Sequence, residues 1–174
     1  MDGQNEQQQQ RIEELYALVD GIDTAMFVTQ REDGSLVSRP MATQKRNQIA
    51  DLWFVTDIES NKIDELHEHP NVNLSYFNTN SREWVSVSGK ASISIDREAI
   101  RALYEPDWKM YFGALDEVRD GGPDDPRLAL ILVTAETVLY LKQEKSTPAV
   151  LFELLKGRIT GDRPDLGTVK SVIL

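Results

Sequence analysis

Four segments decide the fold: Arg39-Pro40-Met41-Ala42-Thr43-Gln44, Leu52-Trp53-Phe54-Val55-Thr56-Asp57, Ser60-Asn61-Lys62 and Trp84-Val85-Ser86-Val87-Ser88-Gly89-Lys90-Ala91. The first belongs to a strand over Leu36–Gln44 that returns from a strand over Ala25–Gln30, with Asp33-Gly34 as the hairpin turn. Asn47 and Gln48 suit a second turn, and Asp51–Thr56 is the third strand. Its Leu52-Trp53-Phe54-Val55 run is apolar at consecutive positions, so both faces are expected to be covered. Ser60 then stands where a helix N-cap belongs, with Ile63 and Leu66 on the buried side of a short helix that Pro70 closes.

Further along, Val72, Leu74 and Tyr76 continue as a strand of period two. Trp84–Ile95 carries the strongest alternation in the chain, with Val85, Val87, Ala91, Ile93 and Ile95 on one face and serines on the other. Gly89 interrupts it where a small barrel needs a bend or bulge. Asp96 caps a helix through Leu103, Asp107–Phe112 adds a further turn or two, and the 120–126 segment is a loop. Leu128–Val133 and Thr137–Leu141 form a last long strand, bent near Ala135. Before all this, Ile12, Leu15, Tyr16, Leu18 and Val19 share one face of an expected helix from Gln7 to Asp20, stopped by Gly21. A second outlying helix is expected over Val150–Leu155.

Six strands with short connections and helices at the ends make a single α+β domain over 1–174: a six-stranded antiparallel split β-barrel with peripheral helices. Residues 1–10 are expected to be a polar extension and 157–174 a loosely structured tail. At 40% hydrophobic and 28% charged residues the chain has the balance of a globular protein with a real core. A net charge of -10 repels nucleic acid and anionic membranes, so neither is an expected partner. A phosphate site on such a surface must be built locally, from a few placed cations and N–H donors. The lack of cysteine excludes disulfides, thiolate metal sites and a cysteine nucleophile. No signal core or 20-residue apolar run is present, and a cytoplasmic location is expected.

Ser60 and Lys62 place a hydroxyl and an ammonium within one turn at a helix start, Thr56 ends the strand before it, and Arg39 on a neighbouring strand can add a guanidinium. That set fits a phosphate. His67 and His69 point to different faces, with no third ligand nearby in sequence, so no metal is expected. The 120–126 carboxylates Asp124 and Asp125 belong to a turn rather than to an acid–base pair.

In this order the segments resemble the flavin-binding split barrels of the pyridoxamine 5'-phosphate oxidase superfamily, especially the general stress protein 26 branch. The resemblance spans roughly Leu15 to Leu141. It implies FMN, with FAD as the other candidate, held between the subunits of a homodimer. Arg39 falls at the arginine expected on the phosphate, and Met41 where a backbone faces the flavin ring. Val55 and Thr56 match the strand-end pair, and Ser60, Asn61 and Lys62 the Ser-Arg-Lys phosphate cluster. Gln44 stands where the oxidases have a lysine, and Trp84 where they have a ring-contacting glutamine. Trp108, in the Trp108-Lys109-Met110-Tyr111-Phe112 cluster, is similar to a segment near the flavin in the stress branch, and equally reads as an ordinary core aromatic. Gln44 and Asn61 each remove a cation, which implies a looser phosphate grip. The oxidases' C-terminal arginine–histidine pair has no counterpart, since no histidine follows His69, so pyridoxamine 5'-phosphate oxidase activity is not expected. The resemblance leaves three readings: an FMN-dependent oxidoreductase acting with NAD(P)H, a non-catalytic flavin carrier or stress sensor, and the same barrel with another cofactor such as the deazaflavin F420.

Overall fold

The computed structural model describes residues 2–143 and 168–173, with isolated positions 149, 152, 155, 156, 158 and 161 between them. The expected Val150–Leu155 helix lies largely outside the described residues, as does the tail from 162 to 167. Helix α1 (Asp2–Ile22) leads into β1 (Thr24–Gln30), β2 (Leu36–Ala42) and β3 (Leu52–Asp57). Helix α2 (Lys62–Glu68), β4 (Asn71–Phe77), β5 (Trp84–Ser94) and α3 (Arg97–Leu103) follow. A 3-10 turn (Pro106–Trp108), α4 (Lys109–Phe112), β6 (Leu128–Leu141) and β7 (Val169–Ile173) complete the described elements. No helix among the described residues is long and apolar enough to cross a membrane.

The strands run β2-β1-β4-β5-β6-β3, all antiparallel, and β7 pairs with β6. The two ends of this path approach each other where the Gln44 N–H donates to the Trp53 carbonyl at 3.0 Å, just beyond the end of β2. The sheet is thus a barrel split along the β2–β3 seam, as expected. Its interior is filled from alternate positions of each strand, among them Phe27, Phe54, Leu74, Val87, Ile131 and Val138. Phe27 and Phe54 meet edge to face at 5.1 Å. Leu15, Leu18 and Val19 of α1 complete that core. A second cluster of Trp53, Ile100, Trp108, Leu128 and Leu130 covers the opposite face of β3. Both faces of β3 are therefore filled, the outer one by α3 and the segment after it.

Gly89 sits where the ladder between β5 and β6 shifts register: Ser88 pairs with Thr137 and Gly89 with Ala135, leaving Glu136 as the extra residue. A Cβ at Gly89 would come within 2.2 Å of the Thr134 carbonyl oxygen, so only glycine allows the strands to meet there. The hairpin between β1 and β2 turns at Gly34, whose φ of 80° suits the Asp33-Gly34 signal.

Three expectations change. Helix α1 begins at Asp2 and continues through Gly21, so residues 2–10 are helical rather than an extension. It stops at Asp23, which takes the left-handed φ of 55° and donates its N–H to the Val19 carbonyl at 3.0 Å. Aspartate tolerates that conformation better than most residues, so the glycine two positions earlier is not needed for the stop. Ser60 does not cap α2. Asn61 holds the cap position without a side-chain cap bond, while the Ser60 hydroxyl donates to the Asp57 carbonyl at 2.7 Å. Finally, the end of the tail is a strand. β6 has 14 residues and β3 only 6, so β3 cannot cover the Thr137–Leu141 half of that edge, and β7 pairs there instead.

Candidate functional site

Register dictates where Arg39 points. It lies opposite Phe27 in the pairing of β1 with β2, so both side chains face the interior with Thr29 as a diagonal neighbour. Thr29 is an inward-facing polar residue in a series with Ala25 and Phe27, and it is buried. Its hydroxyl donates to Glu65 Oε2 at 2.5 Å and accepts from Arg39 Nη1 at 2.6 Å. Arg39 Nη2 lies 2.9 and 2.7 Å from the two Glu65 oxygens. Burial alone would raise the Glu65 pKa, but the Thr29 hydroxyl and the Arg39 guanidinium outweigh it and hold the carboxyl below the ordinary value. Arg39 is therefore locked from behind. Its Nε–H has no partner among the described residues.

Lys62 opens α2 and folds back over the end of β3. Its ammonium donates to Thr56 Oγ1 and Ser60 Oγ, each at 2.9 Å. No carboxylate among the described residues lies within ion-pair distance of it. Burial lowers its pKa first and the nearby Arg39 charge lowers it further, outweighing the opposing Asp57 and Glu65 charges. A half-buried ammonium held by two neutral hydroxyls, with its nearest carboxylates beyond ion-pair distance, is a place where an anion can bind.

These groups form one end of a cleft of about 300 Å³. Arg39, Met41, Gln44, Val55, Thr56, Lys62 and Trp108 line it, joined by Pro40, Ala42, Asp57, Tyr111 and Phe112. Of the ten residues singled out in the sequence, seven thus share the cleft. Ser60 stands just behind, bonded to Lys62. Asn61 and Trp84 are not among the lining residues. Asn61 is exposed at the start of α2. Trp84 begins β5 opposite Phe77 and Leu141, at the other end of that strand from Ser94, which pairs next to the cleft strand residues.

The far wall of the cleft is aromatic. Trp108 is 3% exposed and packs edge to face on Trp53 at 6.1 Å and Tyr104 at 5.5 Å, so it is a core residue as well as a cleft residue. Its indole N–H donates to Gln44 Oε1 at 2.9 Å, while Gln44 Nε2 donates to the Ala42 carbonyl at 3.2 Å. Gln44 clamps this wall. Tyr111 is 71% exposed beside it. A second arginine fixes the segment from below: Arg127 donates to the carbonyls of Phe112 and Gly113, each at 2.9 Å. Arg127 is held in turn by Asp125, whose carboxylate also accepts from the N–H groups of Gly121 and Arg127.

Sequence reasoning missed Glu65, Thr29 and the Asp125–Arg127 anchor. Thr29 was signalled by its polar character in an inward series, and Glu65 by its place beside Leu66 on the buried face of α2. What neither signal provides is the pairing of α2 with β2 across 26 residues.

The family model described as pyridoxamine 5'-phosphate oxidase like matches residues 10–165. Protein bli-3 of Neurospora crassa is 35% identical over 166 residues, covering 94% of this chain and 79% of that protein. Among solved structures, a general stress protein 26 of Jannaschia sp. CCS1 superposes with a TM-score of 0.69 at 21% identity, covering 93% of this chain and 97% of that one. The general stress FMN/FAD binding protein of Xanthomonas citri superposes with a TM-score of 0.58 at 24% identity, covering 74% and 86%. With a family model spanning nearly the whole chain, this protein belongs to the pyridoxamine 5'-phosphate oxidase-like family.

Proposed function

We propose that the protein binds a phosphorylated flavin, FMN first and FAD as the alternative, in the cleft between Lys62 and Trp108. The observation that carries this reading is the Lys62 ammonium, half-buried with neutral hydroxyl partners in a cleft that Met41, Val55 and the Trp108–Phe112 segment also line. The donor set suits the ligand chemically. Lys62, Ser60 and Thr56 would hold the phosphate, with the free Nε–H of Arg39 beside them. Met41, Val55 and the Trp108–Phe112 wall would accept the ring's flat apolar face. A flavin so held supplies hydride or single-electron transfer, and the chain supplies position and exclusion of water. Relatives described as FMN- or FAD-binding support the same reading.

A cleft of about 300 Å³ stands at the lower limit for small-molecule sites, roughly 300–1,000 Å³. That size supports a homodimer in which a second copy completes the slot. Trp84, remote from the cleft within one chain, would reach a ring only from such a partner. With NAD(P)H as donor, the assembly would act as an FMN-dependent oxidoreductase.

Titration of the flavin-free protein with FMN, FAD and riboflavin, followed by quenching of flavin fluorescence, tests the reading. Saturable quenching by FMN, weakened roughly ten- to hundredfold in Lys62→Ala, is the expected result. Equal affinity for riboflavin and FMN would displace the phosphate from Lys62, and no binding of any flavin would end the proposal. Anaerobic bleaching of the bound flavin by NADPH or NADH would then support the oxidoreductase, and its failure the carrier or sensor.

A further inference from the structure

The phosphate end of the cleft holds carboxylates as well as cations. Arg39 and Lys62 both line the cleft, but they are not equivalent cations. Arg39 is matched from behind by Glu65, which is 7% exposed and is not itself a lining residue. Asp57, at the end of β3, does line the cleft and adds a second negative charge. The four groups together are formally neutral. Arg31 also approaches Glu65, at 3.7 Å, but its side chain is 55% exposed and its field is screened by solvent.

A phosphate monoester is mostly doubly charged at neutral pH, its second pKa being about 6. A phosphodiester carries one charge at any such pH. In a site with two unmatched cations the second charge is attracted strongly. In a site balanced by nearby carboxylates, the attraction and the repulsion felt by that second charge nearly cancel, while its desolvation still costs.

We infer that Glu65 is a specificity-determining residue: by neutralising Arg39 from behind, while Asp57 offsets Lys62, it leaves the phosphate end of the cleft formally neutral, so the site accepts a singly charged phosphodiester of the flavin as readily as the doubly charged monoester of FMN. This rests on the flavin reading above. Glu65 acts through Arg39 and is a positioning residue, not a ligand-contacting one.

The test compares FMN with its phosphate methyl ester, which keeps the ring and chain and changes only the phosphate charge, at pH 8 in low salt. In the unaltered protein the two dissociation constants are expected to agree within about fivefold. Glu65→Gln preserves the shape and an acceptor for Arg39, and is expected to shift the ratio toward FMN by about fivefold or more. A general loosening of the fold weakens both ligands alike and leaves the ratio unmoved. A preference for FMN of more than fivefold in the unaltered protein overturns the inference, and so does a smaller or opposite shift in Glu65→Gln. The first of these needs no variant, so the inference stays falsifiable even where Glu65→Gln does not fold. If neither flavin binds the unaltered protein, the flavin reading itself fails. If both bind and the ratio is wrong, the inference alone falls.

Discussion

Of the arginines paired with carboxylates, Arg127 closes a structure and Arg39 leaves one open. Arg127 is 5% exposed against an Asp125 that is fully buried, and its guanidinium also satisfies two backbone carbonyls. Arg39 is 22% exposed against Glu65, and its Nε–H faces no protein partner among the described residues. The chemistry of the two pairs is the same. What differs is what lies on the far side of the guanidinium: the backbone of α4 in one case, a cleft in the other. The Arg39 pair borders free volume, whereas the Arg127 pair is enclosed by backbone.

The comparison breaks first at the closed pair. Asp125→Ala strands the Arg127 charge in the interior and leaves the N–H of Gly121 without its acceptor. A drop in melting temperature of roughly 5–15 °C is expected, measured by thermal unfolding with circular dichroism. Lys62→Ala, at the open site, is expected to leave the melting temperature within about 2 °C of the original. The ammonium is half-buried and repelled by Arg39, against the attraction of Asp57 and Glu65 and two hydroxyl hydrogen bonds, so its removal relieves about as much as it loses. Its cost should fall on flavin affinity instead. A Lys62→Ala protein that melts far lower would make Lys62 a structural residue and not a ligand-binding one.

Acid sharpens the same contrast. Burial pushes both the Asp125 and the Glu65 carboxyl upward, but the hydrogen bonds and charge of Arg127 and Arg39 win, together with the Gly121 and Arg127 N–H groups and the Thr29 hydroxyl. Both folded pKa values therefore lie below the unfolded ones, about 3.9 for aspartate and 4.3 for glutamate. Each contributes stability that is complete above pH 5 and is lost as the pH falls through the folded value. Urea unfolding at pH 7, 5, 4 and 3 should give a constant midpoint down to about pH 5 and a falling one below it. A midpoint that rises on acidification would mean that neither carboxylate is stabilised by its arginine.

How much of this was legible beforehand depends on distance along the chain. Thr56, Ser60 and Lys62 fall within seven residues, and the strand end and helix start that unite them are both local signals. The alternation in β4 and β5 similarly reports burial directly, and Gly89 announced the bulge. The partner of Arg39 was hidden because it depends on how α2 packs over β1 and β2. The Asp120–Arg127 loop read as a plain turn because its one buried carboxylate, Asp125, is indistinguishable in sequence from its exposed neighbour Asp124. Strand β7 was hidden for another reason: it pairs because β3 is too short for β6, a fact about a remote edge and not about Val169–Ile173 themselves.

The smallest expected effect addresses Trp108, which reads both as a core aromatic and as a cleft wall. Trp108→Phe keeps a ring against Trp53 and Tyr104 but removes the indole N–H, leaving Gln44 Oε1 without that donor. Gln44 is only partly buried, so water can replace the lost bond, and the cost reduces to lost packing. About 1–2 kcal/mol of stability should go, or roughly 2–6 °C in melting temperature. Flavin affinity should change by less than about threefold, because Val55, Tyr111 and Phe112 still line the apolar end of the cleft. An affinity loss of tenfold with the melting temperature unchanged would reverse the assignment. The indole would then be a ligand surface that happens to be buried, and the wall that Arg127 fixes from below would be as much a part of the site as Lys62.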